Sequence, residues 1–190
     1  RQACELIERP EVCALRSSLQ MVLAEISLCE QAMRDSEEQL ARWHADDDIV
    51  HKLDEVSGIG LLTASALKTA VGKPERFASG RHLSAWLGMT PNEYSSGERR
   101  RLGCISCKGN TYVRTLLIHG ARAALLAAKR CQTRTPERLT QLQRWALQTA
   151  ERIGHNKAAV ALANKLVRIC WAVWCHERRF SGDWQSARPA

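Results

Sequence analysis

Apolar residues recur in steps of three and four from Val12 to Trp43. One row runs through Val12, Leu19, Ile26, Met33 and Leu40, the other through Leu15, Val22, Cys29, Ser36 and Trp43, with Ser36 the single polar interruption. This seven-residue repeat predicts a long helix with one apolar seam, and such a seam needs a partner to cover it. The cover is either a second copy, forming a coiled coil, or another helix of the same chain. Leu23 and Leu28 widen the stripe, so the order of assembly stays open. Asp46, Asp47 and Asp48 suit the start of a second helix, because carboxylates favour the amide end. That helix runs through Leu53 and meets Val56-Ser57-Gly58-Ile59-Gly60. Leu61 to Val71 reads as a further helix stopped by Gly72 and Pro74, and Ser79 caps another that ends at Gly88. Residues 89–109 contain Pro91, Gly97, Gly103 and Gly109 and form the longest irregular stretch, with Leu102 to Ser106 as a candidate strand. Asn110 to Ala128 is apolar along one side. Thr135-Pro136 predicts the start of a helix reaching Arg152, and Gly154 separates it from a last helix, Asn156 to Arg178. The expected fold class is all-α, with a helical connector at 1–45, a helical domain at 46–180 and a flexible tail at 181–190.

Charge adds a polarity to this picture. Residues 1–55 carry six Lys/Arg against thirteen Asp/Glu, a net of −7, while residues 56–190 carry twenty-two against seven, a net of +15. A basic module on an acidic arm points to a polyanionic partner, nucleic acid before an acidic protein or a membrane. No stretch approaches eighteen uncharged apolar residues and no signal peptide is evident, so no membrane partner is expected. The cytoplasm is the expected compartment, with the nucleoid as the place of action. The chain opens at Arg1 within polar, helix-like sequence, which reads as part of a longer protein. Of eight Cys, Cys4, Cys13, Cys29, Cys131, Cys170 and Cys175 fall in apolar helical positions, and Cys104 and Cys107 form one C-x-x-C. A single such pair is a weak metal signal, and no metal site is expected in this chain. Trp171 and Trp174 fit a helix core better than a base-stacking surface, and His119 fits packing better than catalysis.

Two segments carry candidate chemistry. Gly58-Ile59-Gly60 between short helices has the helix-hairpin-helix pattern. Its glycines let backbone approach a phosphate, and the following helix offers amides from Ile59 to Thr63. Leu53, Val56, Ile59, Leu62 and Leu67 would hold that hairpin together. An ordinary helix-loop-helix is the simpler alternative. The second segment, Tyr94-Ser95-Ser96-Gly97-Glu98-Arg99-Arg100-Arg101, joins two hydroxyls to three guanidinium groups. Phosphoryl transfer through a serine needs a hydroxyl at the phosphate and positive charge for the developing oxyanions, which an arginine fork can hold in pairs. On composition alone, an exposed loop touching a phosphate backbone is the simpler reading. Lys108, Asn110 and Arg114 follow as further candidate phosphate contacts, with Asn110 also able to cap a helix.

Val56-Ser-Gly-Ile-Gly60, Leu62-Thr-Ala64, Arg76-Phe77, Trp86-Leu-Gly88, Thr90-Pro91 and Tyr94-Ser-Ser-Gly97 appear in order. Leu102-Gly103, Ile105-Ser106, Lys108-Gly-Asn110, Val113-Arg114 and Leu116-Leu117 follow. This array resembles the C-terminal domain of the IS110/IS1111 transposases over about residues 50–130, and the preceding heptads resemble that family's coiled connector. The resemblance implies DNA as partner, a structured guide RNA in at least some members, and homo-oligomers. It further implies a serine that attacks DNA, which maps to Ser96, with Ser95 as the fallback. Mg²⁺ is implied at an acidic N-terminal domain absent from this sequence, so no cofactor is expected in this chain and no unaided recombination. Cys104 and Cys107 depart from the family's small and basic residues at those places. A non-catalytic helix-hairpin-helix DNA-binding module is the competing reading, and an interaction protein built on the acidic arm is the third. A hydrolase triad is disfavoured, since Ser96 lacks a G-x-S-x-G context.

Overall fold

The computed structural model describes residues 15–97, 99 and 101–183. Arg1, Cys4, Val12, Cys13, Glu98 and Arg100, all named above, lie outside the described residues. The chain divides into two units, Arg1–Ala45 and Asp46–Ala190. In the first, α1 (Arg16–Trp43) is a single helix of 28 residues without a buried side chain. Leu15, just before it, and Val22, Ile26, Met33 and Trp43 along it are exposed, so most of the apolar seam presents exposed side chains. Ser36 returns its hydroxyl proton to the Ala32 carbonyl at 2.8 Å, which is how the seam tolerates a polar residue.

The second unit is a helical domain carrying one small sheet. Asp47 caps α2 (Asp48–Asp54) by accepting from the Val50 amide at 3.2 Å, and it also pairs with Lys68 on α3 (Leu61–Val71). One carboxylate therefore closes the two helices on each other. A 3-10 turn at Pro74–Arg76 leads to α4 (Gly80–Trp86), capped by Ser79. The strands β1 (Pro91–Glu93) and β2 (Leu102–Ile105) pair antiparallel. Then come α5 (Thr111–Arg134), α6 (Gln141–Ile153) and α7 (His155–Cys175). The fold is predominantly α, as the periodicity implies.

The core forms around α7, which packs against α2, α4, α5 and α6 and buries Leu162, Leu166, Val167 and Cys170. Among the described residues this helix alone is long and apolar enough to cross a membrane by composition. Half of its apolar window is buried inside the domain, which accounts for that composition as core packing. Trp174 is buried, and Trp171 packs partly buried against the core and donates its indole N–H to the Pro74 carbonyl at 3.2 Å.

Three expectations change. Pro136 opens only a 3-10 turn, Pro136–Arg138, because α5 continues past Ala128 to Arg134. The next helix starts instead at Gln141, where Thr140 and Gln143 form a reciprocal capping box. The segment 89–109 is an ordered hairpin rather than an irregular loop, with the candidate strand realised at Leu102–Ile105. The tail is tied down at its start. Gly182 accepts from the Leu142 amide at 3.2 Å and the Asp183 carboxylate from the Gln141 amide at 3.1 Å, satisfying the open end of α6.

Candidate nucleic-acid interface

The serine segment is the outer end of the β1–β2 hairpin. Pairing runs from Pro91 opposite Ile105 to Glu93 opposite Leu102, with one extra residue accommodated on β2. Beyond the named strands the register continues. The Tyr94 amide donates to the Arg101 carbonyl at 2.8 Å, and Ser96 and Arg99 exchange both backbone hydrogen bonds, at 3.3 and 3.2 Å. Gly97, with φ at +58°, makes the tight turn between them, a conformation glycine adopts without steric cost. Directly opposed residues of an antiparallel pair share a face, and faces alternate along a strand. Tyr94, Ser96, Arg99 and Arg101 thus lie on one face, and Glu93 and Ser95 on the other.

That alternation separates the two serines. The Ser95 hydroxyl donates to the Glu93 carboxylate at 2.7 Å and accepts from the Arg101 amide at 3.1 Å, so it is engaged in holding the hairpin. Ser96 is exposed, and its hydroxyl has no hydrogen-bond partner among the described residues. Arg99 and Arg101 are exposed on the same face.

The base of the hairpin is held rigidly. Four successive carbonyls leading into β1 each accept a hydrogen bond from a different donor. The Arg114 guanidinium donates to Leu87 at 3.2 Å, the Cys107 amide to Gly88 at 3.1 Å, the Asn164 side chain to Met89 at 2.9 Å and the Ser106 amide to Thr90 at 2.9 Å. Gly88, at φ +73°, lets the Lys108 backbone approach so closely that a Cβ there would stand 2.7 Å from the Lys108 nitrogen. Gly109 meets the backbone of Trp86 and Leu87 in the same way. Asn110 caps α5 by accepting from the Val113 amide at 3.1 Å.

Arg114 is only 8% exposed. Its second donor reaches the Thr111 hydroxyl at 3.2 Å, so the expectation that it clamps a phosphate is corrected: it is an internal strut under the hairpin. The spacing Arg114, Leu117, Ala121, Leu125, Ala128 places it on the buried stripe of α5, which was the available signal. Asn164 gave no such signal, because its partner lies 75 residues away.

The glycine loop joins α2 to α3. Gly58, at φ +91°, abuts α5, where a Cβ would stand 2.8 Å from the Gly120 carbonyl oxygen and 2.9 Å from the Ala124 Cβ. Its glycine character is therefore required by packing. Ile59 is buried and its amide donates to the Val56 carbonyl at 2.8 Å, which removes that amide from the expected anion-facing set. Gly60 is different, since nothing lies within 4 Å of its Cβ position and it starts α3 without a side-chain cap. The first bond of α3 runs from the Ala64 amide to the Gly60 carbonyl at 2.9 Å, so the amides of Leu61, Leu62 and Thr63 form an open helix start. The Thr63 side chain itself is buried. The loop meets α5 ten residues beyond Asn110, about 15 Å along the helix. Lys108 is exposed at the hairpin base. Among the described residues no group of three His, Cys, Asp or Glu could hold a metal ion.

The profile of the transposases described as the IS116/IS110/IS902 family matches residues 50–136, a span that includes both the glycine loop and the hairpin. A probable family 20 transposase of Pseudomonas aeruginosa is 40% identical over 153 residues, covering 80% of this chain and 43% of that protein. The chain belongs to this transposase family. The transposase for insertion sequence element IS1111A of Coxiella burnetii is 34% identical over 166 residues, covering 87% of this chain and 44% of its own length. That for element IS1328 of Yersinia enterocolitica is 35% identical over 154 residues, covering 81% and 44%. The chain thus spans less than half the length of these relatives, and its α1 lies outside the matched family segment.

Proposed function

We propose that this part of the transposase binds DNA and that Ser96 is the nucleophile of strand cleavage. The observation that carries the reading is the open Ser96 hydroxyl at the hairpin end, on one face with Arg99 and Arg101 and above a rigid base. In the proposed step the Ser96 oxygen bonds to phosphorus as the bond to the departing sugar oxygen breaks. The hydroxyl proton passes to solvent, and the sugar oxygen takes one up. Arg99 and Arg101 meet the charge that develops on the phosphoryl oxygens. Arg100 is assigned a DNA contact from its sequence alone. The open amides of α3 beside Gly60 hold a second phosphate, as a helix start does, and Lys108 adds charge between them. About 15 Å along α5 separates the glycine loop from the base of the hairpin, and the proposed duplex runs from that loop past the base toward the hairpin end. Mg²⁺ is assigned to an acidic domain outside this sequence, and no step above runs through it. A guide RNA is a further proposed partner on the same basic surface, and a nucleoid location follows from the DNA substrate. The exposed seam of α1 is assigned to a second copy, which Ile26→Asp would disperse in sedimentation experiments.

The test is covalent trapping by the full-length transposase on a nicked suicide duplex. The adduct is expected to disappear in Ser96→Ala and to survive in Ser95→Ala, though reduced because Ser95 supports the hairpin. An adduct that survives Ser96→Ala would falsify the assignment. The uncapped α3 start favours a second reading, a DNA-binding module without chemistry of its own. Salt-sensitive binding with no adduct from any variant would support that reading instead.

A further inference from the structure

We infer that the Tyr94 ring, with Arg101 beside it, is a stacking platform for an unpaired base of the DNA strand that Ser96 attacks. The placement beside the attacked phosphate rests on the Ser96 reading; the stacking does not. Tyr94 is 67% exposed, unusual for an aromatic at a fixed strand position. Its backbone is fixed by the bond to Arg101, and its ring lies over Gly103, where a Cβ would come within 2.9 Å of Cε2. Gly103 sits where the register shifts on β2, so the extra residue and the missing side chain together make a seat for the ring. Tyr94, Arg101, Leu102 and Gly103 line a shallow recess. Two of these residues carry a phenol ring and a guanidinium, the groups on which unstacked bases rest in single-strand binding proteins. Two strand steps, about 7 Å, separate Tyr94 from Ser96, so the held base belongs to a nucleotide next to the attacked phosphate.

The experiment uses the 190-residue chain carrying Ser96→Ala, so that cleavage cannot intervene, and a short single-stranded DNA containing 2-aminopurine. Stacking is expected to quench the probe. Tyr94→Phe should keep the quenching, whereas Tyr94→Ala and Tyr94→Leu should lose it and weaken oligonucleotide binding about 5- to 150-fold. Blunt duplex binding should be nearly unaffected in all variants. The inference is overturned if Tyr94→Ala matches its parent, if Tyr94→Phe loses as much as Tyr94→Ala, or if only the RNA version of the probe is quenched. Since the readout needs no covalent chemistry, failure of the Ser96 assignment would leave this result standing, and the converse also holds.

Discussion

Replacing Gly120 by Ala sets two effects of known size against each other. In the interior of α5 the change should favour the helix by about 1 kcal/mol, because alanine loses less backbone freedom than glycine. Yet the new Cβ would run into the Gly58 carbonyl oxygen. That obstacle is backbone and cannot rotate away, so the overpacking cost belongs in the upper part of the usual range, about 2–3 kcal/mol. The net expectation is a loss of about 1–2 kcal/mol from a substitution that normally stabilises. Gly58→Ala should cost more, since a φ of +91° adds about 1–3 kcal/mol of strain to a clash with Gly120 and Ala124. Gly60→Ala is the control: its backbone is extended, its surroundings are empty, and its effect should stay within about 0.5 kcal/mol. Urea unfolding followed by tryptophan fluorescence reads the relevant unit, since five of the six Trp lie beyond residue 45. The double variant Gly58→Ala/Gly120→Ala should lose less than the sum, because separating one pair of backbones relieves both clashes. A Gly120→Ala protein as stable as its parent would refute the close approach of the α2–α3 loop to α5.

Three further outcomes follow from the same structure. Arg114→Ala should cost about 2–3 kcal/mol by stranding the Leu87 carbonyl, without changing the salt dependence of DNA binding. A salt slope shallower by about one with unchanged stability would restore Arg114 to the phosphate contacts. Thr140→Ala should lose about 1 kcal/mol in a urea titration by removing the cap of α6, and no loss would count against the capping box. Cys170 should resist a disulfide reagent until unfolding, since full burial pushes its thiol up to about 12, while exposed Cys104 and Cys107 react in the native state. Cys170→Ser should leave the native thiol count unchanged.

The parts of this fold legible in the sequence are those set by neighbours along the chain. The seven-residue repeat placed α1, Asp47, Ser79 and Asn110 announced their helices as short polar caps, and the Trp171–Trp174 pair followed the helical spacing of a core. Thr140 and Gln143 were equally readable, but the louder Thr135-Pro136 signal a few residues earlier drew the helix start to the wrong place. What depends on long-range approach was not readable. Nothing near Gly58 says that it faces Gly120, so the packing need for that glycine cannot be told from a phosphate-facing role in the sequence. The Ser95–Ser96 pair was ambiguous for a related reason. Adjacent residues point to opposite faces only once the segment is known to be a strand, and a stretch with four glycines and prolines does not advertise one.

Asn164 offers a test of whether hairpin stiffness matters to the chemistry. It reaches from α7 to the Met89 carbonyl, one of four consecutive acceptors that fix the chain just before β1. From Thr90 to Ser96 the strand extends about 20 Å, so a tilt of about 5° at the base displaces the serine by roughly 1.7 Å. Misplacement of about 1 Å in a reacting group can cost on the order of 100-fold in rate. Asn164→Ala removes one partly buried hydrogen bond, so stability should fall by only about 1 kcal/mol. DNA affinity should change less than about twofold, since no surface cation is touched. The rate of serine–DNA adduct formation should nevertheless fall about 10- to 100-fold, measured with the full-length transposase at saturating DNA. If the adduct forms at the parental rate, alignment is supplied by the bound DNA and not by the base of the hairpin. Arg114, Gly88 and Gly109 would then matter to the fold alone.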